Sequence, residues 1–448
     1  VVKNYITLFN FYHLIKKINI KTMKKNLLYI ALVGLILLTF ETNAQSNKCA
    51  TMEILNKRIS RDPSIAERMK ISEIKTQKWV AEHPKQKRGI SQLVTIPVVF
   101  HVIWNDPIEN VTDEQIYSQL DILNDDFRLL NADTLDETHP FYDFTADTEI
   151  EFCLASVDEN GDATSGITRT QTSVTTWDDN NLDDIKSSAN GGQDNWDATE
   201  YLNVYVVNLA GSTLGFATFP EDLATDPFMD GIVIRYEAFG DIGTAGSGTF
   251  ESNDGGRTAT HEVGHWLNLR HIWGDSTCGD DFVEDTEIAE DANYLCPDFP
   301  HNANSNCGSG IDGEMYMNYM DYVDDNCMNM FTLGQAARMQ AALAGPRIGL
   351  FTSNGCGLPN SVVKKFNEKS IELYPNPNNG IFKLNIKNST VKNSVITIFN
   401  VLGEQVKTIN LTNINTTQIN LSEFGIGAYY LQVMAENNTI TKKIFVTK

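Results

Sequence analysis

Apolar positions along residues 95–345 fall into strand-like and helix-like runs. Residues 96–104 are almost continuously apolar and rich in β-branched side chains, which predicts a buried strand. Across residues 113–130 the spacing changes. Ile116, Leu120, Leu123 and Phe127 recur at intervals of three and four, so they share one face of a helix. Residues 150–155, 202–209 and 231–236 predict three more strands. A glycine-rich stretch, 240–256, leads into a second helix, and residues 331–343 predict a third. Strand, helix, several strands and then helices predict an α+β domain with a layered sheet over residues 91–357.

The flanks read differently. Residues 45–90 are polar and helix-prone and end in a basic cluster at 85–89, open to a protease; they are read as a propeptide. Residues 358–370 read as a linker, and a dense turn signal follows at 373–380. Phe382, Leu384 and Ile386 then alternate with Lys383 and Asn385, and further β-prone runs cover 395–399, 417–421, 429–434 and 441–446. Short strands at regular spacing predict a small all-β, Ig-like sandwich over 371–448, which holds no Cys or His. Near the start, Met23 precedes two lysines and an apolar run from 27 to 38, with short side chains at 42–44. This is the pattern of a secretory signal peptide at 23–44, too short for a comfortable membrane span. Residues 1–22 are read as an upstream artefact of the assumed start.

With 448 residues, 42% of them hydrophobic, the chain has material for two or three domains. Its net charge of −23 argues against nucleic acid, which needs clustered Lys and Arg. No apolar stretch predicts a stable transmembrane anchor. An exported chain can form disulfides, and the seven cysteines leave at least one outside any intramolecular pair.

The chemistry concentrates in residues 261–271, which read HEVGHWLNLRH. His261 and His265 are four apart and project from one helix face, where they can share a metal. Glu262 beside them can take a proton from a water at that metal. His271 follows His265 by six residues, about 240° further round a helix and on the wrong face. The chain must leave the helix between them to bring His271 back. Three His ligands on Zn2+ leave one position open, as a catalytic site requires. The sequence thus predicts hydrolysis of peptide bonds in protein or peptide substrates.

The HExxHxxxxxH spacing resembles the metzincin clan of zinc peptidases. Metzincins usually carry Gly where this chain has Asn268, and Asn tolerates the left-handed backbone expected there. The resemblance implies a twisted mixed sheet, an active-site helix and a Met-turn, placing Met320 below the metal within Asn318-Tyr319-Met320-Asp321-Tyr322. Residues 256–267, 281–286 and 325–328 are similar to the pappalysin family in its bacterial branch. That resemblance implies that Tyr322 lines the site and helps stabilise the transition state. It implies structural Ca2+ near Asp281 and Thr286, and disulfides Cys278–Cys307 and Cys296–Cys327. Cys153 and Cys356 remain candidates for a third pair, with several connectivities open. Cys49 is left over, and the resemblance implies a zymogen switch in which its thiolate takes the open metal position. Some relatives use an Asp to cleave before Arg; here Asn326 stands at that position with Asp324 and Asp325 close by, and no cleavage preference is assigned.

Residues 371–448 resemble the type A sorting domain of the type IX secretion system, through Tyr374-Pro375-Asn376-Pro377, Gly380, residues 400–403 and residues 427–430. This implies export through the periplasm and outer membrane of a Gram-negative bacterium, to the medium or the cell surface. Two rivals stand beside the peptidase reading. A thermolysin-like site would use Glu287 with Asp291 and would need a helix across 284–292. A surface adhesin with structural zinc would have no use for Glu262.

Overall fold

A computed structural model of the chain describes residues 48–83, 93–357, 371–386, 393–401, 403–412, 416–435 and 438–447. The expected signal segment, the basic cluster at 85–89 and the linker at 358–370 lie outside them.

Two helices come first, α1 (Thr51–Arg61) and α2 (Ser64–Glu82). Strand β1 (Val94–Trp104) follows and is buried along nearly its whole length. Its apolar run is continuous because it is central: β2 (Ile150–Leu154) and β3 (Ile167–Gln171) pair with successive halves of one edge, and β4 (Leu202–Val207) with the other. All three pairings are parallel, which requires crossovers. Helix α3 (Asp113–Phe127) lies in the first crossover and buries Ile116, Leu123 and Phe127. Thr112 caps it by accepting from Gln115 N. Beyond β4 come β6 (Ile232–Arg235), parallel, and the short edge strand β5 (Gly215–Ala217), antiparallel.

Helix α4 (Arg257–Trp266) follows the glycine-rich stretch and is buried from Thr258 to Trp266. Helix α5 (Leu333–Ala344) closes this part behind a capping box at Thr332 and Gln335. Three disulfides join Cys153 to Cys356, Cys278 to Cys307 and Cys296 to Cys327, and Cys49 is free and buried.

The C-terminal part has two antiparallel sheets. One comprises β7 (Ile371–Tyr374), β8 (Ile381–Ile386) and β11 (Thr416–Asn420); the other β9 (Asn393–Phe399), β10 (Gln405–Thr412), β12 (Gly427–Ala435) and β13 (Asn438–Val446). Phe382, Leu384 and Ile386 face a core shared with Ile396, Ile398, Leu431 and Val433. Strands β3, β5, β7 and β10 were not expected from the sequence. Among the described residues, no helix is long and apolar enough to cross a membrane.

Candidate active site

Helix α4 carries His261, Glu262 and His265 through the core, with all three side chains buried. It ends because Asn268 takes up a left-handed backbone, φ 76°. Asn268 N donates to His265 O at 2.9 Å, and Leu269 N to Gly264 O at 2.9 Å, so the terminal carbonyls stay satisfied while the chain reverses. The reversal returns His271 to the helix face it would otherwise miss. Its Nε2 lies 3.1 Å from Nε2 of His265, which lies 3.2 Å from Nε2 of His261.

The far side of each ring decides what those nitrogens are. Nδ1 of His261 meets the carbonyl of Tyr319 at 2.7 Å, that of His265 meets the carbonyl of Leu269 at 2.9 Å, and that of His271 meets a carboxylate oxygen of Asp275 at 2.5 Å. Each partner is an acceptor, so each Nδ1 carries a proton and each Nε2 faces inward. Burial and neighbouring imidazole charge hold His261 down to about 3 and His265 well below its usual range, so neither is a cation. The lone pairs of His261 and His265 face each other and repel unless a cation lies between them.

Cys49 Sγ completes the cluster: it and one nitrogen of each His lie within 4.8 Å of one another. Burial first, and the charge of Glu262 second, push the Cys49 thiol well above its usual value, so a thiolate there needs a compensating cation. Three imidazoles and a sulfur form a donor set of the kind that takes zinc. Among the described residues no second group of three or more His, Cys, Asp or Glu converges in this way.

Glu262 is buried beside the cluster. Burial raises its pKa to about 8, against hydrogen bonds from Cys49 and Thr51. Its Oε2 accepts from Thr51 Oγ1 at 3.0 Å, while Oε1 is buried without a hydrogen-bond partner. Its side chain lies against β5 at Gly215, where a Cβ would stand 2.9 Å from Glu262 Cγ. The segment before α1 runs along the same strand: Leu214 N donates to Lys48 O at 2.8 Å and Ala50 N to Gly215 O at 3.0 Å.

Met320 lies under α4, and Gly264 makes room for it: a Cβ there would meet Met320 Sδ at 2.4 Å. Met320 N donates to the Asn318 side chain, and Met320 O accepts from Ile272 N just after His271. Two residues on, the Tyr322 ring packs 4.9 Å from that of His271, and its hydroxyl donates to Cys49 O at 3.2 Å. Asp281 lies elsewhere, accepting from Thr286 Oγ1 at 2.9 Å and Val283 N at 3.0 Å. Residues 284–292 form no helix, and Glu287 accepts from Gly310 N, so the thermolysin-like alternative lacks its third ligand.

Several contributors were not picked out in the sequence. Asp275 orients His271, and its spacing of four from that His was the available signal. Thr51 reaches Glu262 from a distant segment. Asp126 accepts from Thr260 at 2.6 Å and from the Tyr319 hydroxyl at 2.9 Å, bracketing His261. Asp230 and Arg347, both fully buried, pair at 2.8 Å, and Arg347 also donates to Trp266 O at the end of α4.

Comparison with known proteins agrees with this geometry. Residues 186–344 match the peptidase family described as Pregnancy-associated plasma protein-A, and residues 372–447 match the secretion system C-terminal sorting domain. An extracellular metalloprotease of Verticillium alfalfae is 30% identical, covering 58% of this chain and 82% of its own. A structure of promirolysin from Tannerella forsythia is 40% identical with TM-score 0.61, covering 70% of this chain and 99% of its own. Mature mirolysin from the same organism, with a cleaved peptide, is 44% identical with TM-score 0.57, covering 60% and 100%.

Proposed function

The chain belongs to the pappalysin family of zinc metallopeptidases, and on that premise we propose that it is made as a latent endopeptidase with Glu262 as general base and Cys49 as the stopper of its metal site. It is a secreted protein, and residues 372–447 are its sorting domain for type IX export. The observation that carries the proposal is the meeting of three buried imidazole nitrogens beside a buried carboxylate. His261, His265 and His271 would hold the ion; when bound, zinc acidifies water and polarises a peptide carbonyl.

The chain's own residues supply the rest. Glu262 accepts the proton of the attacking water and passes it to the leaving amine. Its free Oε1 is available for the first task. Tyr322 donates toward the oxyanion that develops on the scissile carbonyl. Its hydroxyl already donates to a peptide carbonyl, that of Cys49, which supports the role. Met320 supports the floor of the site beneath α4.

Residues 45–90 act as the propeptide. Cys49 takes the open ligand position and Thr51 occupies Glu262, so both the metal and the base are engaged. Promirolysin matches about a tenth more of this chain than mature mirolysin does, which is about the length of residues 45–90. Asp281, a buried carboxyl that burial raises to about 7, would serve calcium in a loop tied by Thr286. Nearby cysteine pairs brace that region. The sorting domain is what the type IX machinery would recognise.

Two variants test the reading. Glu262→Ala should retain zinc and lose proteolysis of a denatured protein by about 10²–10⁴-fold, the usual weight of a general base. Intact proteolysis would overturn the mechanism, whereas no proteolysis by the processed parent would favour an adhesin with structural zinc. Cys49→Ala should be active before processing, and unchanged latency would remove the switch.

A further inference from the structure

Arg338 lies on α5, 1% exposed, and the carboxylate it pairs with is not on the catalytic part of the chain. Its Nη1 and Nη2 donate to the two oxygens of Glu73 at 2.7 and 2.8 Å, a bidentate pair with helix α2. No other ion pair of Arg338 is present among the described residues. The same guanidinium donates from Nε and Nη2 to Asn268 O, at 3.3 and 3.2 Å, where the chain turns between His265 and His271. Asn268 Nδ2 in turn donates to Thr76 Oγ1 of α2 at 3.1 Å, and Gln77 Nε2 donates to Phe282 O at 3.0 Å. Glu73, Thr76 and Gln77 stand at i, i+3 and i+4, one face of the helix. That face reads a receptor made of Arg338, Asn268 and the Phe282 carbonyl.

We infer that Arg338 and Asn268 form a docking site for a helix bearing a carboxylate, which α2 fills in the uncut chain and continues to fill as a separate ligand once the chain is cut between residues 85 and 90. The inference rests on residues 45–90 being a propeptide. Cutting there breaks no contact of α2 with Arg338. Departure of α2 takes away the carboxylate paired with a buried guanidinium and leaves it facing carbonyl oxygens, with only the longer-range charge of Asp281 acting on it, which opposes release. The site is separate from the Cys49 contact, so loss of the metal does not by itself free α2.

The test uses the full chain with Glu262→Ala, to prevent self-digestion, and a recognition sequence for a specific protease across 85–90. After cutting, zinc is chelated and the protein is passed over a sizing column. The excised segment should co-elute with the body, and Glu73→Gln should release it about tenfold more readily, the weight of one charge-assisted pair. Labelled synthetic peptides of residues 64–82, with Glu or Gln at 73, repeat the comparison by competing with the excised segment on the cut protein. Here too the Glu peptide should bind about tenfold more tightly. Equal release and equal peptide affinity would overturn the inference, as would escape of the parent segment on chelation. Cys49→Ala is read separately, by activity of the uncut chain. Failure of the switch and failure of the docking site therefore give different results.

Discussion

Replacing Asp275 should weaken zinc binding with little effect on the metal-free fold. Of the three imidazoles, His261 and His265 are oriented by main-chain carbonyls that no substitution removes, whereas His271 is oriented by a side chain. The Asp275 carboxylate meets His271 Nδ1 at 2.5 Å, with the His271 side chain only 2% exposed. It fixes the ring, the tautomer and, through its charge, the basicity of the inward nitrogen. Loss of such a partner typically lowers metal affinity 10- to 100-fold, or about 1.4–2.7 kcal/mol. Two substitutions separate the causes. Asp275 has a left-handed backbone, φ 59°, so Ala adds roughly 1–2 kcal/mol of backbone strain that Asn largely avoids. Asp275→Asn keeps an acceptor and removes the charge, so its affinity loss should fall near tenfold. Oδ2 of Asp275 is buried without a hydrogen-bond partner, so its removal breaks no further contact. Zinc affinity would be measured by competition with a chromophoric chelator in a Cys49→Ala background, and urea unfolding would be followed on metal-free protein. If both variants bind zinc within about twofold of the parent, well below the expected loss, the reasoning about His271 fails.

Asp230→Ala leaves Arg347 buried with no counter-charge and removes the acceptor of Trp266 Nε1. It should cost about 3–5 kcal/mol in urea unfolding, and a loss under about 1 kcal/mol would show that the pair does not support α4. Gly264→Ala places a methyl 2.4 Å from Met320 Sδ and should destabilise by about 1–3 kcal/mol, read as a lower Tm. An unchanged Tm would mean that Met320 is free to move away. Thr51→Val removes the hydroxyl that donates to Glu262 Oε2 and accepts from Ala217 N. The uncut chain should then show roughly fivefold or more basal turnover, from about 1 kcal/mol of lost contact. Identical basal turnover would exclude Thr51 from the latency device.

Helix α3 could be read in the sequence from its period, which burial on one face writes into the chain, and β1 from its unbroken apolar run, which burial on both faces produces. The edge strand β5 could not. It has three residues, begins with a glycine and is defined by its pairing to β6 and its contact with Glu262. Strand β10 alternates weakly, and β7 was hidden by the turn signal that follows it. The site divides in the same way. His261, Glu262, His265 and His271 share a local spacing set by helix geometry, whereas Asp126, Asp230 and Thr51 reach α4 from segments whose registers only the fold fixes.

Asn268 joins these levels. Its left-handed φ of 76° ends α4 and turns His271 inward, and Gly could do that with less strain. A glycine has no amide to donate to Thr76 of α2, and Asn268 makes that contact at 3.1 Å. Its carbonyl is meanwhile held by Nε and Nη2 of Arg338, whose Nη1 and Nη2 hold Glu73. One residue therefore shapes the metal site through its backbone and binds the N-terminal segment through its side chain. A Gly in its place would keep the first property and lose the second, so the residue that departs from the usual metzincin pattern is also where α2 meets the return of the third ligand.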